Sequence, residues 1–142
     1  MLVFGSAIGE GNYSRPSGEI VWCETVIPSA AIYGNGFSDV AKTTLNVEAD
    51  TLGRLPKGAK AIIFNGEMRD SGSAAGDPYM YFTNGGDQNG TWTSSAGLAN
   101  DKFGRNNGTQ ACDANGDISY IIEATGSGTV DAWIKYAGVQ LR

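Results

Sequence analysis

The sequence predicts an all-β domain, built as an antiparallel sandwich of two sheets with about eight strands. Short segments in which apolar and polar residues alternate recur along the chain, and a period of two is the strand period. The chain has 142 residues, of which 21 are glycine, and many of these stand in Gly-Asn, Asn-Gly and Gly-Ser pairs. Such pairs form turns, so the sequence indicates many short strands joined by tight reversals.

The C-terminal segment from Gly116 to Arg142 has the clearest strand pattern. Apolar residues occupy every second position of residues 118–124 and again of residues 130–136, so each stretch has one apolar face. These faces consist of Ile118, Tyr120, Ile122 and Ala124 in the first stretch and of Val130, Ala132, Ile134 and Tyr136 in the second. Residues 125–128, TGSG, tolerate the positive φ of a tight turn. We therefore expect a hairpin of two paired, central strands.

The N-terminal part of the chain has two interpretations. Met1 to Ile8 is either an edge strand or an arm, and Gly9 to Gly18 is a turn-rich loop. Glu19 to Ile27 is rich in β-formers and is predicted to be a strand that ends at Pro28, with residues 30–33 continuing beyond a bend.

The middle of the chain is predicted to hold further strands. Lys42 to Ala49 alternates apolar and polar residues as a strand does, and a helix over Asp39 to Leu52 is the alternative. Ala59 to Arg69 and Tyr79 to Thr83 are predicted strands, and residues 91–93 form a brief one.

The region that precedes the C-terminal segment is the least regular. Residues 94–108 have no clear period, and Phe103 is their main apolar anchor. Thr109 to Cys112 is a predicted short strand. Asp113 to Asp117 is interpreted as an Asn-Gly turn, with a calcium loop as the less favoured alternative. Because no repeat or linker is present, we expect one domain over residues 1–142.

Charge and residue usage argue against several functional classes. The net charge is −5 and the basic residues are scattered singly, so neither nucleic acid nor an anionic membrane surface is an expected partner. No apolar run approaches the ~18 residues of a membrane span, and the N-terminus lacks the basic start of a secretory signal.

Catalytic and metal-binding residues are sparse. The chain has no histidine, which removes the commonest general base and the commonest metal ligand. Cys23 and Cys112 are expected to be reduced thiols, with a single disulfide as the alternative. Glu67, Asp70 and Asp77 are interpreted as a solvated acidic loop rather than as a paired acid/base site. We therefore expect no enzymatic activity, no cofactor and no metal.

Aromatic residues suggest contact surfaces. Tyr79, Tyr81, Trp92 and Phe103 are interpreted as packing or intersubunit residues, with sugar contact, chiefly by Trp92, as the alternative. Trp133 lies opposite the apolar face of its strand, so either both faces of that strand are covered or Trp133 meets a neighbouring subunit. We favour an oligomer contact, since tryptophan is enriched at the buried centres of interfaces.

Motifs in the last two-thirds of the chain occur in a distinctive order. A turn with proline precedes AKAIIF, an acidic RDSGSAAGD loop leads to YMYF, a CDANGD turn precedes ISYIIEATG, and the last strand carries YAGVQ. This combination resembles the jelly-roll domains of tailed-bacteriophage virion proteins, which include capsid decoration proteins and tail-fibre or spike modules. The matching positions are Pro56 to Phe64, Arg69 to Phe82, Cys112 to Gly126 and Thr129 to Gln140. A family ending often places an aromatic residue after the glycine, whereas Val139 follows Gly138 here.

The resemblance implies a jelly-roll-like sandwich that serves as a non-enzymatic virion protein, assembled in the reducing cytoplasm of a host bacterium. The expected role is that of a capsid decoration, or cement, protein, which binds the major capsid protein as a homo-oligomer, with a trimer as the expected size. The candidate oligomer or capsid contacts are Leu2, Phe4 and Trp133. The alternative role is a tail-fibre or spike module that binds host-surface carbohydrate through a ligand loop at Tyr79, Tyr81 and Trp92.

Overall fold

A computed structural model describes residues 19–70, 78–85, 90–96, 98, 101–124 and 128–142. Within these residues the chain forms eight strands and one short helix. The strands are β1 (Ile20–Phe37), β2 (Val40–Leu45), β3 (Ala61–Asp70), β4 (Tyr79–Thr83), β5 (Thr91–Ser94), β6 (Phe103–Ala111), β7 (Ile118–Glu123) and β8 (Val130–Gln140), and the helix is α1 (Val47–Asp50). The described part of the chain has no helix long and apolar enough to cross a membrane. The predicted all-β fold class is confirmed.

The strands form two antiparallel four-stranded sheets. Sheet A has the order β1-β8-β3-β6, and sheet B has the order β2-β7-β4-β5. Apart from β4 and β5, which pair with each other, consecutive strands lie in different sheets, so the chain passes back and forth between the layers. This is the strand order of an eight-stranded jelly roll. The predicted two-sheet sandwich is therefore correct in class and in strand number.

The hairpin predicted at the C-terminus is wrong, although both of its strands exist. β7 lies in sheet B between β2 and β4, whereas β8 lies in sheet A between β1 and β3. The connection between them therefore crosses from one layer to the other. Each strand is still an interior strand of its own sheet, as the apolar faces predicted.

The core lies between the two sheets. Phe64 of β3 and Phe82 of β4 meet there edge to face, with ring centroids 5.1 Å apart. Both apolar faces predicted near the C-terminus point into this core. The inward residues of β8, which are fully buried, are Val130, Ala132, Ile134 and Tyr136. On the β7 side, Ile118, Ile122 and Ala124 are buried and Tyr120 packs against the core.

Pro28 does not end the first strand, as was predicted. β1 continues through it to Phe37, and Pro28 pairs with Lys135 between two irregularities in the register. β1 is an edge strand of sheet A. A proline is tolerated at such a position because one side of an edge strand needs no ladder hydrogen bond.

The predicted strand Lys42 to Ala49 ends at Leu45. Asn46 caps α1 there, because its side-chain Oδ1 accepts the backbone N–H of Ala49 at 2.9 Å. The helix alternative is thus correct only for the single turn Val47–Asp50.

Residues 103–108, predicted to be irregular, belong to β6. This strand pairs with β3 from Arg69↔Phe103 to Ala61↔Ala111 without interruption. Phe103 lies on the outer face of sheet A, so it does not anchor the core. Met1 to Gly18, the predicted arm or edge strand, lie outside the described residues.

Candidate binding surfaces

The outer face of sheet B carries a group of three aromatic rings, the sheet-B aromatic cluster, formed by Tyr79, Tyr81 and Trp92. Tyr79 and Tyr81 alternate along β4 with the buried residues Met80 and Phe82, so their side chains leave the sheet on the outer side. Trp92 stands opposite Tyr81 on β5. The centroid-to-centroid distance from the ring of Trp92 is 4.7 Å to the ring of Tyr79 and 4.2 Å to the ring of Tyr81. The three candidate ligand residues are therefore adjacent, and they lie on the two strands predicted for residues 79–83 and 91–93.

Two neighbours hold this cluster in place. Gly90 leaves room for the ring of Tyr81, because a Cβ on Gly90 would overlap that ring and the backbone oxygen of Phe82. Asn106 of β6 donates a hydrogen bond from Nδ2 to the carbonyl oxygen of Trp92 at 2.6 Å, which ties the edge of sheet B to the edge of sheet A. The cluster is thus built into the sandwich.

The cluster is open to solvent on one side. Trp92 remains 51% exposed even though both tyrosine rings contact it. Glu123 stands opposite Tyr79 in the pairing of β4 with β7, so it belongs to the same face of sheet B. An exposed aromatic ring such as that of Trp92 can stack on the apolar face of a sugar ring or pack against a protein partner. Residues 86–89, between β4 and β5, lie outside the described residues.

The outer face of sheet A carries a second aromatic group, the sheet-A cluster, formed by Trp133, Phe103, Arg69 and Arg105. The rings of Trp133 and Phe103 have centroids 5.6 Å apart. The guanidinium carbon of Arg69 lies 5.2 Å from the Phe103 centroid and 5.8 Å from the Trp133 centroid, and that of Arg105 lies 4.8 Å from Phe103. Cations at such distances are attracted to the ring faces. Trp133 is accordingly half-covered by residues of its own chain.

Charge pairs hold the sheet-A cluster in position. Arg69 donates from Nε and Nη2 to Oδ2 of Asp131 at 3.0 and 2.7 Å, and Asp131 is buried. Oδ1 of the same carboxylate accepts the backbone N–H of Gly36 at 3.0 Å. Arg105 contacts Glu67 at 3.3 Å, but its side chain is 61% exposed. The Arg69–Asp131 pair is therefore structural, whereas Arg105 is available to a partner.

An exposed apolar stripe on β1 escaped the sequence analysis. It consists of Ile20, Trp22 and Val26, which are 49%, 54% and 41% exposed. Val21 and Ile27 on the same strand are buried in the core, so the stripe faces outward. The sequence pattern of β1 could have revealed the stripe, because apolar residues occupy both faces of the first half of this strand. In β8 an apolar residue on the outer face identified Trp133 in the same way.

Tyr33 extends the apolar surface towards the sheet-A cluster. It is 46% exposed and stands opposite Trp133 in the pairing of β1 with β8. The described residues include eight large apolar side chains that are exposed, and five of them lie on sheet A. These five are Ile20, Trp22, Val26, Tyr33 and Phe103. Exposed apolar residues grouped on one face are typical of interaction surfaces.

Both cysteines are free thiols, as expected. Burial raises the pKa of Cys23 to about 11 and that of Cys112 to about 12. Because the thiolate is the nucleophile, both side chains are weakly reactive at neutral pH.

The carboxylates singled out in the sequence have structural contacts. Glu67 pairs with Arg105 and lies 4.0 Å from Lys135. Oδ1 of Asp113 accepts the backbone N–H groups of Asn115 and Asp117 at 2.8 and 3.0 Å, which forms the predicted turn. Asp77, Leu2 and Phe4 lie outside the described residues.

No protein-family model matches this chain, and no curated protein matches it significantly. The functional argument therefore depends on the fold and on the three surfaces described above.

Proposed function

We propose that this chain is a non-enzymatic structural protein of a tailed-bacteriophage virion, and specifically a capsid decoration protein that binds the shell as a homo-oligomer, with a trimer as the expected size. The resemblance of its motifs to virion jelly-roll proteins suggests the particle. The jelly-roll strand order agrees with this family but also occurs in lectin domains, so fold alone does not assign the role.

The observation that carries the proposal is the grouping of exposed apolar residues on sheet A. Five of the eight in the described chain lie on this one face, next to the half-buried Trp133. A structural protein that binds neighbours needs such a face, and tryptophan, tyrosine and arginine are the residues that contribute most to binding energy. Trp133, Tyr33 and Arg105 supply all three types within one surface.

Oligomerisation would strengthen shell binding without requiring one strong contact. Each copy presents the same sheet-A surface, so an oligomer places several identical contacts on the repeating shell. When several linked contacts act together, the later ones form at a high effective concentration and the overall affinity rises.

Binding of the purified protein to expanded capsids that lack it tests the proposal. We expect saturable binding that Tyr33→Ser weakens at least about tenfold, which corresponds to about 1.4 kcal/mol. Trp92→Ala, on the opposite sheet, is the matched control and should bind as the unchanged protein does. Absence of capsid binding would contradict the proposal.

The second candidate function is recognition of host-surface carbohydrate by a tail-fibre or spike module. The sheet-B aromatic cluster favours it, because Trp92 presents an exposed ring that two tyrosines and Gly90 hold in position. Here Trp92→Ala should abolish binding of the labelled protein to host cells, and Tyr33→Ser should leave that binding unchanged. Cell binding that survives Trp92→Ala would contradict this candidate.

A further inference from the structure

We infer that the stripe of Ile20, Trp22 and Val26 on β1 is the docking surface for the segment Met1–Ile8 of a second copy of this chain. The inference rests on the self-association in the proposed function and names the contact that produces it. Its partner is a segment of the same sequence, and each copy would both give a segment and receive one.

The stripe is a formed surface that lacks a cover in the described part of the chain. Trp22 stands opposite Gly138 of β8, and its ring lies close above the backbone there, since a Cβ on Gly138 would come within 3.3 Å of the indole. A rigid indole with about half of its area in water is an anchor for a partner, because aromatic side chains bury 150–250 Å² each.

Two facts suggest that the N-terminal segment binds the stripe. Residues 1–18 lie outside the described residues, and they are joined to the chain next to the stripe. Eighteen residues precede Glu19, which adjoins the stripe, and the backbone oxygen of Glu19 accepts the N–H of Leu141 at 2.8 Å. The ten residues 9–18 alone span up to about 33–36 Å when extended. A four-stranded sheet is only about 15 Å wide, so the segment is long enough to reach a neighbouring copy.

The chemistry of the segment fits the stripe. Met1–Ile8 has the sequence MLVFGSAI, which contains no charged side chain and includes Leu2 and Phe4. Residues 19–37 contain no lysine or arginine, and their charged residues are Glu19 and Glu24. A segment without charged side chains can cover Trp22 without bringing a side-chain charge of its own into the contact.

The same features disfavour pairing of one β1 edge with another. Two antiparallel β1 strands paired symmetrically about Glu24 would bring two like charges together. Pro28 has no N–H to donate, and the register of β1 is irregular at three places. Edge strands with proline and bulges are poor templates for strand addition. The stripe is therefore better suited to bind a separate segment than to pair with the β1 edge of a second copy.

The symmetry of this contact agrees with a ring. Segment and stripe are different surfaces, so the contact between two copies is heterologous, and heterologous contacts close into rings when the rotation permits. A trimer is the smallest ring beyond a dimer and is the size proposed for the protein.

Cross-linking between two distinguishable copies tests the contact. Full-length chains carrying Phe4→Cys and chains of different mass carrying Val26→Cys are co-expressed and treated with a short bis-maleimide. We expect a product of mixed mass, and no such product when Leu98→Cys, 49% exposed beyond β5, replaces Val26→Cys. A chain that carries both substitutions and cross-links only within itself would overturn the inference, as would the absence of any product.

Oligomer size measured by native mass spectrometry gives a second, independent test. Trp22→Glu should convert the oligomer to monomer, and the matched control Trp92→Glu, 51% exposed on sheet B, should not. An oligomer that persists in Trp22→Glu while capsid binding is intact would overturn the inference and leave the proposed function standing. Failure of the unchanged protein to bind capsids would instead count against the proposed function, whatever the cross-links show.

Discussion

The hydroxyl of Tyr136 donates a hydrogen bond to Oδ2 of Asp50 across 2.6 Å in the interior of the protein. Tyr136 belongs to β8 of sheet A, and Asp50 is the last residue of α1, so the bond joins the helix to the core. Oδ1 of the same carboxylate accepts the backbone N–H of Ala31 on β1 at 2.8 Å. A buried carboxylate is thus satisfied by two elements, and it fixes α1 against both of them.

Tyr136→Phe should destabilise the fold by about 1–3 kcal/mol, because it removes the donor and leaves Oδ2 of Asp50 buried without a partner. Urea unfolding followed by circular dichroism measures the change. Tyr33→Phe removes the same hydroxyl from an exposed tyrosine and should shift the free energy of unfolding by less than about 0.5 kcal/mol. Equal effects of the two substitutions would contradict this account of the bond.

Stability should fall as the pH rises above 9. The pKa of Cys112 is raised from 9.0 to about 12 and that of Cys23 to about 11, in both mainly by burial. Burial likewise raises the pKa of Tyr136. Between pH 9 and 12 the unfolded chain releases thiol protons that the folded chain keeps, so the unfolded state binds fewer protons and the free energy of unfolding decreases.

Cys112→Ala tests this pH dependence. Urea unfolding at several pH values between 8 and 11, with a reductant present, should show a shallower decline above pH 9 than in the unchanged protein. The absolute stability of the variant is not the relevant quantity, because the shortened side chain also leaves a cavity. An identical slope in the two proteins would show that Cys112 holds its proton no more tightly in the folded state than in the unfolded state.

The two arginines that face Phe103 should contribute very differently to stability. Arg69→Ala leaves the buried carboxylate of Asp131 without its partner, and breaking a buried pair in this way costs about 3 kcal/mol or more. Arg105→Ala breaks an exposed pair with Glu67 and should cost at most about 1 kcal/mol. Thermal and urea unfolding of both variants would measure the difference, and a cost of Arg105→Ala equal to that of Arg69→Ala would refute it.

Gly90→Ala should disturb the sheet-B aromatic cluster. The added methyl group would overlap the Tyr81 ring and the backbone of β4, and overpacking of this kind costs about 1–3 kcal/mol. Gly34→Ala is the control, since nothing lies within 4 Å of a Cβ at that position. Unfolding free energies should separate the two variants. If Gly90→Ala left the free energy of unfolding unchanged, Tyr81 would be able to move aside without a loss of stability.

The sequence was informative about which residues face the core but not about which strands are neighbours. Alternation in β7 and β8 correctly predicts their buried faces. It does not specify pairing, because an apolar face fits a strand of either sheet, and the predicted hairpin is therefore wrong. Residues 103–108 of β6 were missed for a different reason. Their inward positions opposite Met68 and Phe64 are glycines, so no apolar period marks the strand.

The same reasoning explains what could be predicted of the candidate surfaces. Tyr79, Tyr81 and Trp92 are close in sequence and on adjacent strands of one hairpin, so their proximity followed from local pattern. Trp133 was recognised as outward-facing, but its contacts with Phe103 and Arg69 depend on the pairing of β8, β3 and β6. Such long-range register cannot be read from spacing along the chain.

The most direct test of the proposed function is a paired binding measurement with labelled protein, using expanded capsids that lack it and intact host cells. A decoration protein should bind the capsids saturably, lose at least about tenfold in affinity with Tyr33→Ser, and leave the cells unlabelled. Binding to cells without binding to capsids would contradict the proposed role and would place the functional site at Trp92 instead.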